Sequence, residues 1–222
     1  MGEGGGYEVV GTAGRDSFFS PDLQADVLID FSHPDLTVKC LEYASEAGLP
    51  VVIGTTGLDD RCHSLIEEVS GKVPVCVAAN FSIGVTVMMS LVAQAASALP
   101  EEFDIEISEA HHRRKLDAPS GTALVLGDMV ADARGRTLAD SAIFDRSDRR
   151  QARSPGEIGF QVTRGGDVVG EHTVKFLGEG ERLSITHAAT DRTIFARGAL
   201  LAAEKLYGRG AGRVEFAQLL LA

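Results

Sequence analysis

The residues with the greatest capacity for chemistry lie in one stretch, from Glu109 to Ala123, which has the sequence EAHHRRKLDAPSGTA. Two adjacent histidines, His111 and His112, are followed by two arginines and Lys115. Clustered cations are costly to bury without partners, so this run must face water or an anion. A helix that starts at the Ser-Gly-Thr turn would point backbone N–H groups at that anion. The stretch therefore predicts a site for a small, multiply negative substrate that accepts a proton.

Composition limits the classes of protein to which the chain can belong. Its 222 residues suit one large domain or two small ones, and 44% hydrophobic residues are ample for a core. The net charge of −11 argues against nucleic acid or an acidic membrane surface as the main partner. No apolar run is long enough to predict a membrane span, and the first residues do not resemble a secretory leader. Cys40, Cys62 and Cys76 lack metal-ligand spacing, which favours free thiols in a reducing cytoplasm and predicts no metal site.

The first third of the chain alternates short apolar strands with helices. This pattern is typical of a parallel sheet that is covered on both faces and binds ligands at the carboxyl ends of its strands. Ser32 or His33 is expected to cap the first helix, with Pro34 in its first turn. The predicted strands are Glu8–Thr12, Ala25–Phe31, Leu49–Ile53 and Val73–Ala78, and the predicted helices are Thr37–Ala47 and Asp59–Ser70.

The remainder predicts two helices, a run of strands and a last helix. The segment Phe103–Glu109 alternates at period two, as a half-buried strand does, and its end leads into the histidine pair. Glycine-rich turns between the later strands favour a mainly antiparallel sheet. The predicted helices are Ile83–Leu99, Leu124–Ala133 and Ile194–Tyr207, and the later strands are Ala142–Phe144, Ile158–Arg164, Asp167–Val169, His172–Phe176 and Arg182–Ala188.

The site stretch resembles the motif of the dihydrodipicolinate reductase (4-hydroxy-tetrahydrodipicolinate reductase) family. Further segments agree with that family in the same order, from about residue 8 to the C-terminus. These segments are Ile29-Asp-Phe31, Gly54-Thr-Thr-Gly57, Ala79-Asn-Phe-Ser-Ile-Gly-Val85, Pro155-Gly-x-Ile-Gly-Phe160, Arg164-x-Gly-Asp-x-Val-Gly-Glu-His172 and Glu181-Arg-Leu-x-Ile-Thr-His187.

The resemblance implies an α/β fold: an N-terminally incomplete Rossmann-type parallel sheet plus an α+β substrate and oligomerisation domain with a mixed, mainly antiparallel sheet. The cofactor domain would comprise residues 1–80, completed by 193–222, and the substrate and tetramerisation domain residues 81–192. The implied reaction is reduction of a cyclic imine dicarboxylate to tetrahydrodipicolinate by NADH or NADPH, in lysine and diaminopimelate synthesis. The implied catalytic residues are His111 and Lys115, and the substrate carboxylates would be held by His112, Ser120, Gly121 and Thr122.

The resemblance also assigns residues to the cofactor. Arg15 favours a 2′-phosphate and Asp16 a free ribose, so both NADPH and NADH stay open. The remaining implied cofactor residues are Phe31, Gly54, Thr55, Thr56, Ala78, Ala79, Asn80, Phe81, Arg192 and Phe195.

One departure from the family lies at the front of the chain. A dinucleotide-binding fold opens with a strand, a Gly-x-Gly-x-x-Gly turn and a helix, and Met1–Gly6 has glycines without that context. We therefore expect a strand–turn–helix element of roughly 25 residues to be absent. The leading hypothesis is the reductase. The alternatives are a truncated, non-catalytic dicarboxylate-binding or assembly subunit that does not bind the pyrophosphate, and an oxidoreductase of another substrate.

The sequence also suggests roles for three further residues. His172 and His187 fall within predicted strands and are interpreted as structural. Asp117 follows the cationic run, where it would orient Lys115 or a histidine, or simply belong to the turn.

Overall fold

The computed structural model of the chain describes residues 6–15 and 17–222. Most of the elements expected from the sequence are present, with bounds shifted by a few residues. In chain order the elements are β1 (Leu28–Asp30), α1 (Pro34–Ala47), β2 (Val51–Ile53), α2 (Asp60–Ser70), β3 (Pro74–Val77), α3 (Ile83–Ala98), β4 (Asp104–His111), α4 (Gly121–Ala133), α5 (Leu138–Ser141), β5 (Ala142–Ile143), β6 (Ile158–Arg164), β7 (Gly170–Leu177), β8 (Arg182–Ala189), α6 (Thr193–Leu206), β9 (Gly212–Glu215) and α7 (Phe216–Leu221).

The chain divides into two compact units. The first runs to Phe81 and resumes at Phe195, and the second spans Ser82–Ile194. No helix in the described part of the chain is long and apolar enough to cross a membrane. Among the same residues, no group of three or more His, Cys, Asp or Glu side chains is arranged to hold a metal ion.

The first unit contains a parallel sheet with the strand order β1-β2-β3-β9. All three residues of β2 are buried because the sheet is covered on both faces. Ile53 belongs to one core cluster, together with Leu41 of α1 and Ile66 of α2. Val52 belongs to another cluster, together with residues of α6 and α7. The α/β prediction for this part of the chain is confirmed.

The strand predicted at Glu8–Thr12 is wrong. Residues 6–13 form no regular element, and Val9 and Val10 are exposed. An apolar run becomes a strand only where a neighbouring strand pairs with its N–H and C=O groups. Near this segment, the described residues form an isolated bridge between Gly14 and Ser17 rather than a strand ladder. The sequence reasoning also missed β9, which lies in a glycine- and arginine-rich segment and pairs with β3.

The second unit contains a mixed sheet with the strand order β5-β6-β4-β7-β8. β4 pairs in parallel with β6 and antiparallel with β7, which in turn pairs antiparallel with β8. Helices α3 and α4 cover one face, where Val92 and Leu126 join Ile107 and Phe176 in a core cluster. The opposite face of the sheet carries mostly polar side chains.

The strand predicted at Asp167–Val169 is a turn between β6 and β7. These two strands flank β4 on opposite sides, so the connection must pass the end of β4. It does so through Gly165 and Gly166, and Gly166 has a φ of 52°. The N–H of Gly165 donates to the carbonyl of His111, and the carbonyl of Gly166 accepts from the N–H of Arg113. The hydrogen bonds of this segment therefore go to the stretch that follows β4 rather than to a strand ladder.

Candidate active site

Strand β4 carries Glu109 and His111 near its carboxyl end. Ile105 and Ile107 point into the core beneath α3 and α4. Because side chains alternate along a strand, Glu109 and His111 point to that same face. Glu109 is only 3% exposed, and His111 is half-buried at the strand end.

The Glu109 carboxylate is the centre of the site's hydrogen bonds. Arg164, which lies beside His111 in the β4–β6 register, donates from Nη1 to Oε2 and from Nη2 to Oε1, both at 2.7 Å. The N–H of Ser120 donates to Oε1 at 3.0 Å, and Nδ1 of His111 lies 2.6 Å from Oε2. Burial alone would raise the pKa of Glu109, but the bonds from Arg164, His111 and Ser120 outweigh it and the net pKa is lowered. Glu109 is therefore an ionised carboxylate.

The other ring nitrogen of His111 lies against Gly170. A Cβ built on Gly170 would come within 3.0 Å of Nε2, so any larger residue there would crowd the ring. The edge of the ring contacts the imidazole of His172, with 5.1 Å between the ring centroids. With Nδ1 bound to Glu109, Nε2 is the nitrogen of His111 through which a proton can be exchanged with a substrate.

His172 lies opposite Glu109 in the β4–β7 register and is 4% exposed. Its Nε2 lies 2.9 Å from Oγ of Ser120. Burial, together with the neighbouring His111, lowers the pKa of His172 to about 4. His172 is thus a neutral, buried ring that supports both His111 and the start of α4, as its structural interpretation expected.

The buried ring of His172 predicts a pH dependence of stability. Histidine ordinarily titrates near pH 6.5, whereas the folded-state pKa of His172 is about 4. Between these values the unfolded chain binds a proton that the folded chain does not, so stability falls as the pH falls. From about pH 6.5 to pH 5, the wild type should lose about 1.5 kcal/mol more than His172→Gln. Urea unfolding at several pH values measures this difference, and parallel pH profiles of the two proteins would contradict the prediction. This pH range lies above the range in which protonation of Glu109 changes the free energy of unfolding.

The loop between β4 and α4 contains the cationic side chains that follow the histidine pair in the sequence. Nζ of Lys115 lies 2.8 Å from a carboxylate oxygen of Asp117. This contact selects, from the alternatives that the sequence left open, the one in which Asp117 orients Lys115. Hydrogen bonding from Lys115 lowers the pKa of Asp117. Arg164 also donates to the backbone carbonyl of Asp117 at 2.6 Å, so the guanidinium that holds Glu109 also fixes the loop.

His112 is the second histidine of the pair and occupies a cationic environment. Its Nε2 lies 3.3 Å from Nη2 of Arg192, and its buried Nδ1 has no hydrogen-bond partner among the described residues. Partial burial, followed by the charges of Arg192 and Arg114, lowers the pKa of His112. The structure thus places Arg192, which was predicted with the cofactor residues, beside a predicted substrate residue.

Helix α4 begins where the sequence placed an anion site. Oγ of Ser120 caps the helix by accepting from the N–H of Ala123 at 3.2 Å, and Ser120 itself is extended, with a ψ of 152°. Gly121 and Thr122 are therefore the first helical residues, whose N–H groups lie at the positive end of the helix dipole. The stretch from Glu109 to Thr122 brings the predicted catalytic and substrate-binding residues together within the second unit.

In the first unit, a buried carboxylate organises the carboxyl end of the parallel sheet. Asp30, at the end of β1, accepts from the N–H of Ser32 at 3.0 Å and from Oγ1 of Thr55 at 2.9 Å, and also accepts from Thr37 of α1. It thereby ties the loop after β1 to the loop after β2. A Cβ at residue 54 would lie 2.3 Å from Cε1 of Phe31, so the ring of Phe31 would have to move to admit a side chain there.

The predicted cofactor residues of the first unit follow the ends of three neighbouring strands. Phe31 follows β1 and is 52% exposed. Its ring contacts that of Phe81, with 5.6 Å between the centroids. Arg15 lies in an exposed turn, Phe195 lies in the first turn of α6, and Asp16 falls outside the described residues. The segments brought to this edge of the sheet are Phe31, Gly54–Thr56 and Ala78–Phe81.

Sequence reasoning assigned no role to Glu109 and Arg164, whose hydrogen bonds hold His111 and the start of α4. Both residues were within matched motifs, but neither was assigned a role. The available clue was spacing: Glu109 precedes His111 by two residues in a period-two strand, which places both side chains on one face. The contact with Arg164 depends on the β4–β6 register, which the sequence pattern does not reveal.

Family models and related proteins match nearly the whole chain. Family models described as dihydrodipicolinate reductase, N-terminus and C-terminus, match residues 2–81 and 84–220. The 4-hydroxy-tetrahydrodipicolinate reductase of Pseudomonas fluorescens (strain SBW25) is 50% identical over 195 residues, which cover 88% of this chain and 73% of that protein. The reductase of the same name from Acinetobacter baumannii (strain ATCC 17978) is 44% identical over 219 residues, covering 99% and 80%.

A solved structure shows the same similarity. The dipicolinate-bound dihydrodipicolinate reductase from Paenisporosarcina sp. TG-14 matches with a TM-score of 0.66 at 28% identity, covering 86% of this chain and 71% of that one. Taken with the two family models, which together span nearly all of the sequence, these similarities show that the chain belongs to the dihydrodipicolinate reductase family.

Proposed function

We propose that this chain reduces 4-hydroxy-tetrahydrodipicolinate, by way of dihydrodipicolinate, to tetrahydrodipicolinate with NADH or NADPH, in the diaminopimelate and lysine pathway. The observation that carries the proposal is the arrangement from Glu109 to Thr122. It combines a carboxylate-bound histidine, a lysine held by an aspartate and a capped helix start. The names of the related proteins support the same reaction.

The substrate's two carboxylates need two anion sites. The N–H groups of Gly121 and Thr122 provide one, at the positive end of α4. His112 and Arg192, whose nitrogens lie 3.3 Å apart, form the other. There a carboxylate would accept charge-assisted hydrogen bonds from the guanidinium of Arg192, which His112 orients. A cyclic dicarboxylate bound between these two anchors would be held in a fixed orientation, which favours reaction at one ring position.

The proton is supplied by the chain's own residues. Hydride addition to a conjugated imine leaves electron density that must be protonated, so an acid has to lie nearby. Lys115 carries an ammonium group, half-buried and directed by Asp117, and serves as the proton donor in the proposal. His111 serves as an acid/base through Nε2, because Nδ1 is bound to Glu109.

The residues of the first unit fit the nicotinamide end of a dinucleotide. The fit rests on an exposed aromatic ring at Phe31, beside two loops that the buried Asp30 ties together. When bound, the reduced nicotinamide supplies the hydride. Phe31, Gly54–Thr56 and Ala78–Phe81 would hold it. Arg15 favours a 2′-phosphate and Asp16 a free ribose, so both NADPH and NADH stay open.

Assembly and location form the last part of the proposal. The sheet of the second unit has one face that α3 and α4 do not cover, and it exposes polar side chains such as Gln161, Glu171 and Thr186. Such a face supports the expected homotetramer, built by sheet-to-sheet packing of copies of this chain. Three buried free cysteines are compatible with a cytoplasmic location.

An oxidation assay tests the proposed reaction. The full chain is mixed with NADPH or NADH, and the absorbance of the reduced nicotinamide is followed before and after adding 4-hydroxy-tetrahydrodipicolinate. We expect oxidation that depends on the substrate and is inhibited by dipicolinate. Binding of dipicolinate without oxidation of either NADPH or NADH would contradict the proposal and favour a non-catalytic dicarboxylate-binding subunit.

A further inference from the structure

We infer that Glu109 is a positioning residue for the proposed reaction: its carboxylate holds His111 as the Nδ1–H tautomer and fixes the start of α4 to the same anchor. The inference deepens the proposed function and rests on it for the chemical role of His111. The arrangement of hydrogen bonds that it describes is a property of the second unit and can be tested without any turnover.

Four hydrogen-bond partners surround the carboxylate of Glu109. Two guanidinium nitrogens of Arg164, the N–H of Ser120 and Nδ1 of His111 all lie within 3.0 Å of the two oxygens of Glu109. An ionised carboxylate only accepts hydrogen bonds. The partner atom on His111 must therefore be the donor, which places its proton on Nδ1. Nε2 is then left as the nitrogen that takes up or releases a proton on the substrate side.

Ser120 links Glu109 to the start of α4, the proposed anchor for a substrate carboxylate. Ser120 is both the N-cap of α4 and a donor to Glu109. Its hydroxyl also contacts Nε2 of His172, whose ring packs against that of His111. A single buried carboxylate thus sets the position of the acid/base ring relative to the first turn of α4. Supporting partners of this kind are worth roughly 10- to 100-fold in activity when they orient a functional histidine.

A second glutamate of the same strand provides a contrast. Glu106 is also buried on β4, at 9% exposure, and also pairs with arginines, Arg146 at 2.8 Å and Arg153. It differs in pointing to the opposite face of the sheet and in contacting no residue of the site. Burial on β4 and pairing with arginine, which the two glutamates share, therefore do not by themselves produce the bond to His111. Glu106→Gln is thus a matched control for Glu109→Gln.

The expected consequence of Glu109→Gln follows from hydrogen-bond chemistry. A glutamine has one accepting oxygen and one donating NH₂ group. If the glutamine oxygen takes the place of Oε1, it keeps the bonds from the N–H of Ser120 and from Nη2 of Arg164. The NH₂ group then takes the place of Oε2, loses the bond from Nη1 of Arg164 and faces Nδ1 of His111, which must accept. The proton of the ring moves to Nε2, so the wrong tautomer faces the substrate. We expect kcat to fall about 10²-fold, with KM changed less than about threefold.

The test combines kinetics with ¹⁵N NMR of the histidine rings at about pH 9, above the ordinary pKa of histidine. The resonances of His111 are assigned by their loss in His111→Gln. The wild type should show Nδ1–H and Glu109→Gln should show Nε2–H with the lowered kcat, while Glu106→Gln should change neither. An Nε2–H tautomer in the wild type, or unchanged kcat in Glu109→Gln, would overturn the inference.

Two features of the design keep the outcomes separate. The wild-type tautomer is measured without substrate, so a chain with no reductase activity would refute the proposed function and leave the test of the hydrogen-bond arrangement intact. If Glu109→Gln does not fold, Glu109→Asp replaces it, because aspartate keeps the charge but withdraws the oxygens by one methylene. Glu109→Asp should keep the Nδ1–H tautomer of His111, with a kcat between that of the wild type and the roughly 10²-fold lower value expected of Glu109→Gln. An Nε2–H tautomer in Glu109→Asp would again overturn the inference.

Discussion

Replacing Lys115 with alanine should lower kcat by about 10²- to 10⁴-fold while leaving the fold intact. In the proposed reaction the ammonium group supplies the proton that the product requires. The fold should survive because the structural contact of the ammonium is with Asp117, whose side chain is 60% exposed. An ion pair with an exposed partner contributes at most about 1 kcal/mol to stability.

Substrate-dependent oxidation of reduced nicotinamide measures the change in kcat, and thermal unfolding followed by circular dichroism measures the fold. Lys72→Ala is the matched control, because Lys72 follows α2 in the first unit and forms an exposed ion pair with Glu68. That variant should keep the wild-type kcat. A Lys115→Ala protein with near-normal kcat would remove Lys115 from the role of proton donor.

Replacing Arg164 with alanine should destabilise the second unit by about 3 kcal/mol. The guanidinium makes two bonds to a carboxylate whose side chain is only 1% exposed, and a third bond to the loop carbonyl of Asp117. Removing it leaves a buried negative charge without its cation, which is far more costly than losing an exposed pair. Activity should fall as well, since Glu109 then loses the partner that orients it.

A double variant separates the cost of the unpaired charge from the cost of lost packing. Arg164→Ala combined with Glu109→Gln carries no buried charge, so it should recover more than half of the lost free energy of unfolding without recovering activity. Arg213→Ala serves as the control, because Arg213 pairs with the exposed Glu67 and should cost less than about 1 kcal/mol. Equal losses in the Arg164 and Arg213 variants, measured by urea unfolding, would show that the Glu109 charge is not buried.

Much of the fold and the order of the site residues could be predicted because local patterns carry that information. The apolar runs at β2 and β3 are bounded by glycine, proline and polar residues, which mark strand ends in a parallel sheet. Ser120 before an apolar run marks a helix start, and the structure caps α4 there. The period-two pattern before His111 likewise predicted β4.

The remaining features depend on residues that are distant in sequence. The bond between Glu109 and Arg164 joins residues 55 positions apart, and it exists only because β4 and β6 pair in one register. The apolar run near Val9 shows the converse: it has the composition of a strand, but within residues 6–15 and 17–222 no strand pairs with it. Strand β9 contains glycine and arginine and is stabilised by pairing with β3 rather than by its own sequence pattern.

The transfer of a labelled hydride tests the central claim most directly. The full chain is incubated with 4-hydroxy-tetrahydrodipicolinate and with NADPH or NADH deuterated at the transferable position, and the product is analysed by mass spectrometry. We expect tetrahydrodipicolinate that carries one deuterium, and we expect the rate of its formation to fall about 10²- to 10⁴-fold in Lys115→Ala. Unlabelled product, or recovery of the substrate unchanged with both cofactors, would contradict the proposed reaction.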